Sequence, residues 1–566
     1  MKKSHLFVLL ILPAVLVFTA ALLRYSQGPY WITYNSYDPE YLYIVSSLAL
    51  AEDKEMRTTG NPGTTLQILG AVTLKISHAL DLSEKDSLEF SVLKNPEFYL
   101  TVINIILITL NVVLLFIIGW VTFALTKNIY LSLLLQLSPF LSDIMLTRGL
   151  ARVCTEPLLL FSSFLFVLIL VKMVLDKNFS KTAHWYMMAL SFVSGFGLAT
   201  KLTFIPLLII PVFVLPKLRN KIGFLLLTGL SFVFFTWPIM SQYKNLLNWY
   251  YRIITHTGYY GSGSPEIINT SIYFYNIKNL LFSNLFFFLV WVLAVSFILK
   301  IGLASARERN AEGRNTWHDT CPRILLSATV AQLSAVLAVA KFSNEYYLLP
   351  VMSLSGFMLF LMFMYYLRRL NYLSRLNTKV VAFIIGIFLV FGSVWRIYDI
   401  KNVFMQNLQI KKESLIIYEK AENEYKNYLK IHSVLLSSSP ISALAFGNYF
   451  INEGMYSESL QKIYGESYFY GLNGEFHTWT KFFSIEDIIL KGNNDKIVFF
   501  SPTEFGKIIK CSTGSILHLR DIFGGEYQTI YTLEGITLFK KKKNVPTEPI
   551  SPRFNFYGSL FKVTNN

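Results

Sequence analysis

Charge is what this chain has least of. Only 15% of its 566 residues are Asp, Glu, Lys or Arg, against about one quarter in an ordinary soluble protein. Hydrophobic residues make up 53% and the mean hydropathy is +0.45, so a lone soluble enzyme is excluded. Acid is scarcer than base, with 35 acidic groups against 51 basic ones and a net charge of +16. Cysteine is nearly missing. Cys154, Cys321 and Cys511 lie too far apart for a disulfide framework or a zinc site of recognisable spacing. Internal repeats are absent, and the one biased segment is the basic run Lys540–Lys543, read as a solvated strand end. Aromatics, in contrast, are plentiful: 47 Phe, 33 Tyr and 9 Trp exclude a disordered chain.

What is there is a series of apolar runs. The first, Leu6 to Leu23, follows Lys2 and Lys3 and lacks a small-residue cleavage site before Arg24 and Tyr25, so it reads as a retained anchor. Ten more lie near 99–125, 129–142, 157–175, 184–200, 202–216, 222–240, 284–302, 324–341, 347–367 and 380–397. That predicts about eleven spans, with 129–142 and 202–216 short enough to be re-entrant or tilted. If the N-terminus is cytoplasmic, alternation puts Lys127, Lys177, Lys181, Lys217, Arg219, Lys221, Arg307, Arg309, Arg314, Arg323, Arg368, Arg369, Arg375 and Lys379 inside. Each inner loop is then basic, as the positive-inside rule requires. Topology accounts for most of the positive charge, and a nucleic-acid partner is not expected.

The same alternation sends residues 24–98, 241–283 and the tail outside. The expected architecture is a polytopic α-helical membrane domain over 1–397 and an extracytoplasmic α/β domain over 398–566, the latter long enough to bury its own core. In the tail, Ser414 to Leu429 reads as helix, Ser442 to Phe446 and Lys496 to Phe500 as strands, and Tyr527 to Lys540 as a hairpin turning near Glu534-Gly535.

Polar chemistry concentrates at the outer ends of the spans. Asp38-Pro39-Glu40 stands among Tyr34, Tyr37, Tyr41 and Tyr43, and carboxylates near an interface are costly unless solvated, paired or used. Two readings stay open for Asp38: a helix cap, or a carboxylate that takes a proton from a hydroxyl or holds a metal. The turn Gly60-Asn61-Pro62-Gly63 precedes an amphipathic helix from Leu66 towards His78, capped by Thr64 or Thr65, too short to span and expected in the interface plane. At helical spacing Arg148, Arg152 and Glu156 share a face, as an ion-pair ladder or an anion reader. Lys201 is isolated among apolar residues and either snorkels or meets a lipid phosphate. His256, Tyr259 and Tyr260 lie in a glycine-containing loop suited to a sugar or lipid head, although a lone histidine is more often structural. Lys341 precedes Glu345, Tyr346 and Tyr347, with Glu345 its local partner. Gathered on one side, these groups suit a lipid-phosphate donor: a carboxylate readies the nucleophile and cations stabilise the departing phosphate.

With these motifs in order, the chain resembles the membrane glycosyltransferases of the GT-C superfamily, in particular bacterial relatives of the protein O-mannosyltransferase and aminoarabinose-transferase group. The resemblance covers roughly residues 1–400 and rests on Asp38-Pro39-Glu40, Gly60 to Gly63, Arg152 to Leu160, Thr200-Lys201, and Lys341 to Pro350. It implies a polyprenyl-phosphate-linked sugar donor and inverting transfer to a protein, glycan or lipid acceptor outside the cytoplasmic membrane. By position it gives Asp38 the role of base, with Glu40 in support. Lys201, Arg148, Arg152 and Lys341 become candidates for the donor phosphate, and Asn61, His256, Tyr259 and Tyr346 for the substrate. The acids are split by Pro39, and Asn61 stands where a histidine is expected. No Asp-x-Asp motif in the second outer loop supports a divalent metal, and no other cofactor is called for. The competing readings are a transporter or flippase of lipid-linked saccharides, which would carry charges mid-span and an internal repeat, and a non-catalytic envelope scaffold.

Overall fold

The computed structural model describes residues 3–32, 40–56, 62–81, 86–147, 149–258, 261, 263–312 and 320–369, most of 396–483, and strand segments between 497 and 541. Helices come first: α1 Lys3–Gln27, α2 Tyr41–Ala51, α3 Thr64–Leu80, α4 Leu88–Lys94, α5 Pro96–Thr126, α6 Ile129–Gln136 and α7 Asp143–Thr147. They continue as α8 Thr155–Leu175, α9 Phe179–Thr200, α10 Ile209–Val214, α11 Leu218–Thr236, α12 Tyr243–Thr255 and α13 Thr270–Ser283. The last of this set are α14 Leu285–Glu312, α15 Thr320–Ala340, α16 Leu349–Met352 and α17 Leu354–Arg369.

Local chemistry sets the boundaries. Pro96 opens α5, where its missing N–H costs nothing, and Glu97 follows in the first turn. Asn128 caps α6, its Oδ1 accepting from the backbone N–H of Tyr130 at 3.0 Å. Among the described residues, six helical stretches are long and apolar enough to cross a membrane: Lys3–Gln27, Pro96–Thr126, Thr155–Leu175, Leu218–Thr255, Cys321–Ala340 and Glu345–Tyr365. The pair Thr270–Ser283 and Leu285–Ile301, bent by 96°, makes a seventh if counted as one span. The chain is therefore helical and multi-pass by length and composition.

The run 129–142 is α6 followed by a 3-10 turn at Ser138–Leu141, and 202–216 is a 3-10 helix Leu202–Leu208 running into α10. Pro139, Pro206 and Pro211 interrupt both, and neither is a continuous span. The expected span 380–397 lies, but for its last two residues, outside the described residues.

The membrane core gathers α1, α5, α6, α8, α15 and α17 around Leu115, Leu159, Phe164, Ala331 and Phe357. Large apolar side chains such as Phe7, Phe18 and Phe234 stay exposed on the outside of this bundle, the face that lipid would cover.

The tail opens with helix over 396–412 and then builds a mixed sheet from β1 Leu429–Ser433, β2 Tyr468–Tyr470, β3 Phe476–His477, β4 Phe482–Phe483, β5 Ile497–Phe500, β6 Ile508–Ser512 and β7 Ser515–Ile516. Strand order is β4-β3-β2-β1-β5-β6-β7, with β1 parallel to both β2 and β5. The expected hairpin is present as β8 Tyr527–Leu533 and β9 Ile536–Lys541, with Leu533 opposite Ile536. The expected strand over Ser442–Phe446 is instead part of a helix, Pro440–Tyr449. Pro440 starts it, Ser439 Oγ accepts from the N–H of Ser442 at 3.1 Å, and Ala443, Leu444 and Ala445 are strong helix formers.

This tail shares its core with the first loop. Tyr41, Val45, Leu48, Leu93 and Tyr99 form one buried cluster with Leu444, Phe446, Leu460, Phe469 and Trp479. Polar ties reinforce it. Lys54 bridges Glu52 and Glu89, both at 2.8 Å, and Tyr456 Oη donates to Glu52 at 3.1 Å. Tyr464 Oη donates to the carbonyl of Leu93 at 2.7 Å. Met56 also packs with Ile239 and Leu246. The first loop thus touches both of the other segments assigned to its side of the membrane.

Candidate functional site

Two buried ion pairs bring three distant segments together. Glu40 stands at the N-cap of α2 without making a capping bond. Its carboxylate instead accepts from Arg152 Nε at 2.7 Å, with side-chain exposures of 3% and 5%. Burial disfavours the charge on Arg152, but the opposite charge and hydrogen bond of Glu40 outweigh it and raise the guanidinium pKa. Glu156, in the first turn of α8, accepts from Lys201 Nζ at 2.6 Å, again between buried side chains. The Lys201 ammonium lies 4.8 Å from the ring centre of Tyr346 and 4.9 Å from that of Tyr347. Between the pairs, burial and then the negative charge of Glu156 push the Cys154 thiol well above its ordinary range. The Arg152 charge opposes this shift, and the Glu40 charge adds to it.

The helical spacing expected to put Arg152 and Glu156 on one face is absent, and Arg148 lies outside the described residues. Residues 151–154 are bends between α7 and α8, and Cys154 is extended at φ −146° and ψ −177°. Pro157 explains this, because a proline third in its helix clashes with a preceding turn. Arg152 and Glu156 consequently face different partners. Main-chain bonds hold the loop: Asn104 Nδ2 donates to the carbonyl of Leu150 at 3.2 Å and Asn111 Nδ2 to that of Pro157 at 3.0 Å.

The turn before α3 docks on the same place. Pro62 and Lys201 form an isolated antiparallel bridge. The Thr65 and Thr200 hydroxyls are 2.7 Å apart, and Thr64 Oγ1 donates to the carbonyl of Ala199 at 3.3 Å. The expected threonine cap is therefore corrected. Gly63, at φ +75°, is the N-cap of α3 with no side-chain cap bond, and both threonines are spent on α9. Nor does Lys201 snorkel: it is 3% exposed and paired.

Lys341 sits elsewhere. Its ammonium donates to the carbonyl of Ile254 at 2.5 Å, at the end of α12, and burial lowers its pKa. His256 is adjacent in sequence, its Nδ1 2.8 Å from Thr255 Oγ1. Segment 341–347 joins the two groups, with Lys341 on α12 and its tyrosines around Lys201. Asp38, Asn61, Arg148 and Tyr259 lie outside the described residues. Among those described, no group of three or more His, Cys, Asp or Glu side chains gathers as a metal site. Sequence reasoning named Glu156 and Tyr347 but did not place them among the site residues; an acid opening an apolar run was the available signal for the first.

Fold and site together define a multi-pass helical membrane protein with two buried ion pairs, one of them at the start of a helix, α2, on which a tail helix packs. No family model and no curated protein matches the chain. Among solved structures it is similar to ArnT from Cupriavidus metallidurans bound to undecaprenyl phosphate, at 12% identity and a TM-score of 0.38, covering 80% of this chain and 77% of that one.

Proposed function

We propose that this chain transfers a glycosyl group from a polyprenyl-phosphate-linked donor to an acceptor hydroxyl outside the cytoplasmic membrane, with inversion at the sugar carbon. The observation that carries the reading is the convergence of Glu40, Arg152, Glu156 and Lys201, next in sequence to Asp38. Asp38 takes the proton of the acceptor hydroxyl as its oxygen attacks the anomeric carbon. The bond from that carbon to the phosphate oxygen breaks, and its electron pair leaves with the polyprenyl phosphate. Arg152 and Lys201 stabilise the charge that grows there, with Arg148 and Lys341 as further cations and Glu40 in support. Preorganised cations of this kind are each worth about 100- to 1,000-fold in rate. Asn61, His256, Tyr259 and Tyr346 contribute to holding the sugar and acceptor.

The test is incubation of purified protein with a panel of polyprenyl-phosphate sugars and candidate protein, glycan and lipid acceptors. Consumption of one donor, with transfer to one acceptor, is expected. Consumption of none, by protein that remains folded, would remove the transferase reading. Accessibility tags on the tail check that it faces outside.

A further inference from the structure

A buried amide on α3 has no hydrogen-bond partner. Gln67 is 1% exposed, yet neither its Oε1 nor its Nε2 makes a hydrogen bond. Other buried amides differ. Asn111, Gln136, Gln332 and Asn452 each leave the carbonyl oxygen unpartnered but donate their NH2 groups to main-chain carbonyls. Gln67 is, among the described residues, the buried amide with both ends open. A carboxamide offers two donors and two acceptor positions, and leaving them buried and unmade is costly.

Its position on α3 says where the amide leans. Gln67 is the fourth residue of α3, and helical side chains tilt towards the N-terminus of their own helix. It shares a face with Thr64, three residues earlier, whose hydroxyl reaches Ala199. That end of α3 has no side-chain cap and abuts Lys201 through the bridge with Pro62. The open amide thus lies one turn along α3 from the helix end that abuts Lys201.

We infer that the Gln67 carboxamide is a specificity group that exchanges hydrogen bonds with hydroxyls on the sugar ring of a bound glycosyl phosphate, next to the phosphate held at Lys201. The inference rests on the glycosyl-transfer reading and adds to it the group that tells a sugar-bearing lipid from its bare carrier. The carrier's phosphate monoester is mostly dianionic at neutral pH and then has no proton for the amide oxygen, whereas a sugar hydroxyl serves both ends of the amide.

The experiment compares the full-length protein with Gln67→Leu and Gln67→Ala, each titrated with undecaprenyl phosphate and with undecaprenyl-phosphoryl hexoses. Leucine fills similar volume and removes the open polar atoms, so the melting temperature should hold or rise. Affinity for the favoured sugar-bearing lipid should fall roughly tenfold, and affinity for bare undecaprenyl phosphate by less than about twofold. Equal losses for both lipids, or no loss for either, overturn the assignment and leave Gln67 a structural or water-bound amide. Wild-type protein that binds neither lipid overturns the functional reading, and this assignment falls with it.

Discussion

The Arg152 guanidinium meets the Glu40 carboxylate at 2.7 Å across 112 residues of sequence, both side chains all but removed from solvent. The contact ties the second loop to the first, two residues beyond Asp38. Breaking it from one side takes the carboxylate away from a buried guanidinium. Glu40→Gln should cost about 3–5 kcal/mol, and the double variant Glu40→Gln with Arg152→Met should recover most of that. Thermal unfolding of the two variants beside the parent checks this. A single variant as stable as the parent would mean that the pair contributes nothing to holding the loops.

Lys201 separates a phosphate-binding role from a purely structural one. Lys201→Met takes the ammonium away from the buried Glu156 carboxylate, whereas adding Glu156→Gln removes that buried charge while keeping the ammonium absent. Both variants should lose about 10- to 100-fold in affinity for a polyprenyl-phosphate sugar, and only the single one should melt early. Unchanged donor affinity in the double variant would remove the phosphate role.

The tail helix rests on α2 at a glycine. A Cβ at Gly447 would lie 2.8 Å from the carbonyl oxygen of Tyr41. Gly447→Ala should cost roughly 1–3 kcal/mol through overpacking. Amide exchange over Pro440–Tyr449 should then quicken. Exchange that stays at the parent rate would show that the helix is not held by this approach.

Acid should loosen the tail through His432. Burial, with a smaller contribution from the Lys430 charge, lowers its pKa from 6.5 to about 3. A base held below its ordinary value gains its proton on unfolding. Its contribution is therefore intact above pH 6.5 and is lost as pH falls towards 3. The loss is about 1.4 kcal/mol for each pH unit. Melting curves between about pH 6.5 and 5 should fall for the parent and flatten for His432→Gln. Parallel slopes would exclude His432 as the source.

The long spans were legible because hydropathy is local: Lys3–Gln27, Pro96–Thr126 and Thr155–Leu175 match runs readable from composition. The hairpin around Glu534-Gly535 was legible for the same reason, its turn chemistry lying beside its strands. Non-local choices were not. Nothing near Glu156 announces Lys201, 45 residues away, and helical spacing suggested a ladder that Pro157 forbids. Ser442–Phe446 reads equally well as a buried strand or a buried helix, and the Ser439-Pro440 start decided it. The shared core of loop and tail depends on packing between segments hundreds of residues apart, which no local pattern encodes.

Asp38 carries the central claim, and one comparison tests it most directly. Purified parent and Asp38→Asn proteins are given the same polyprenyl-phosphate sugar, and donor consumption, lipid binding and melting temperature are followed side by side. The account predicts that the asparagine variant binds the lipid and melts like the parent but transfers no sugar. Transfer at the parent rate would contradict it.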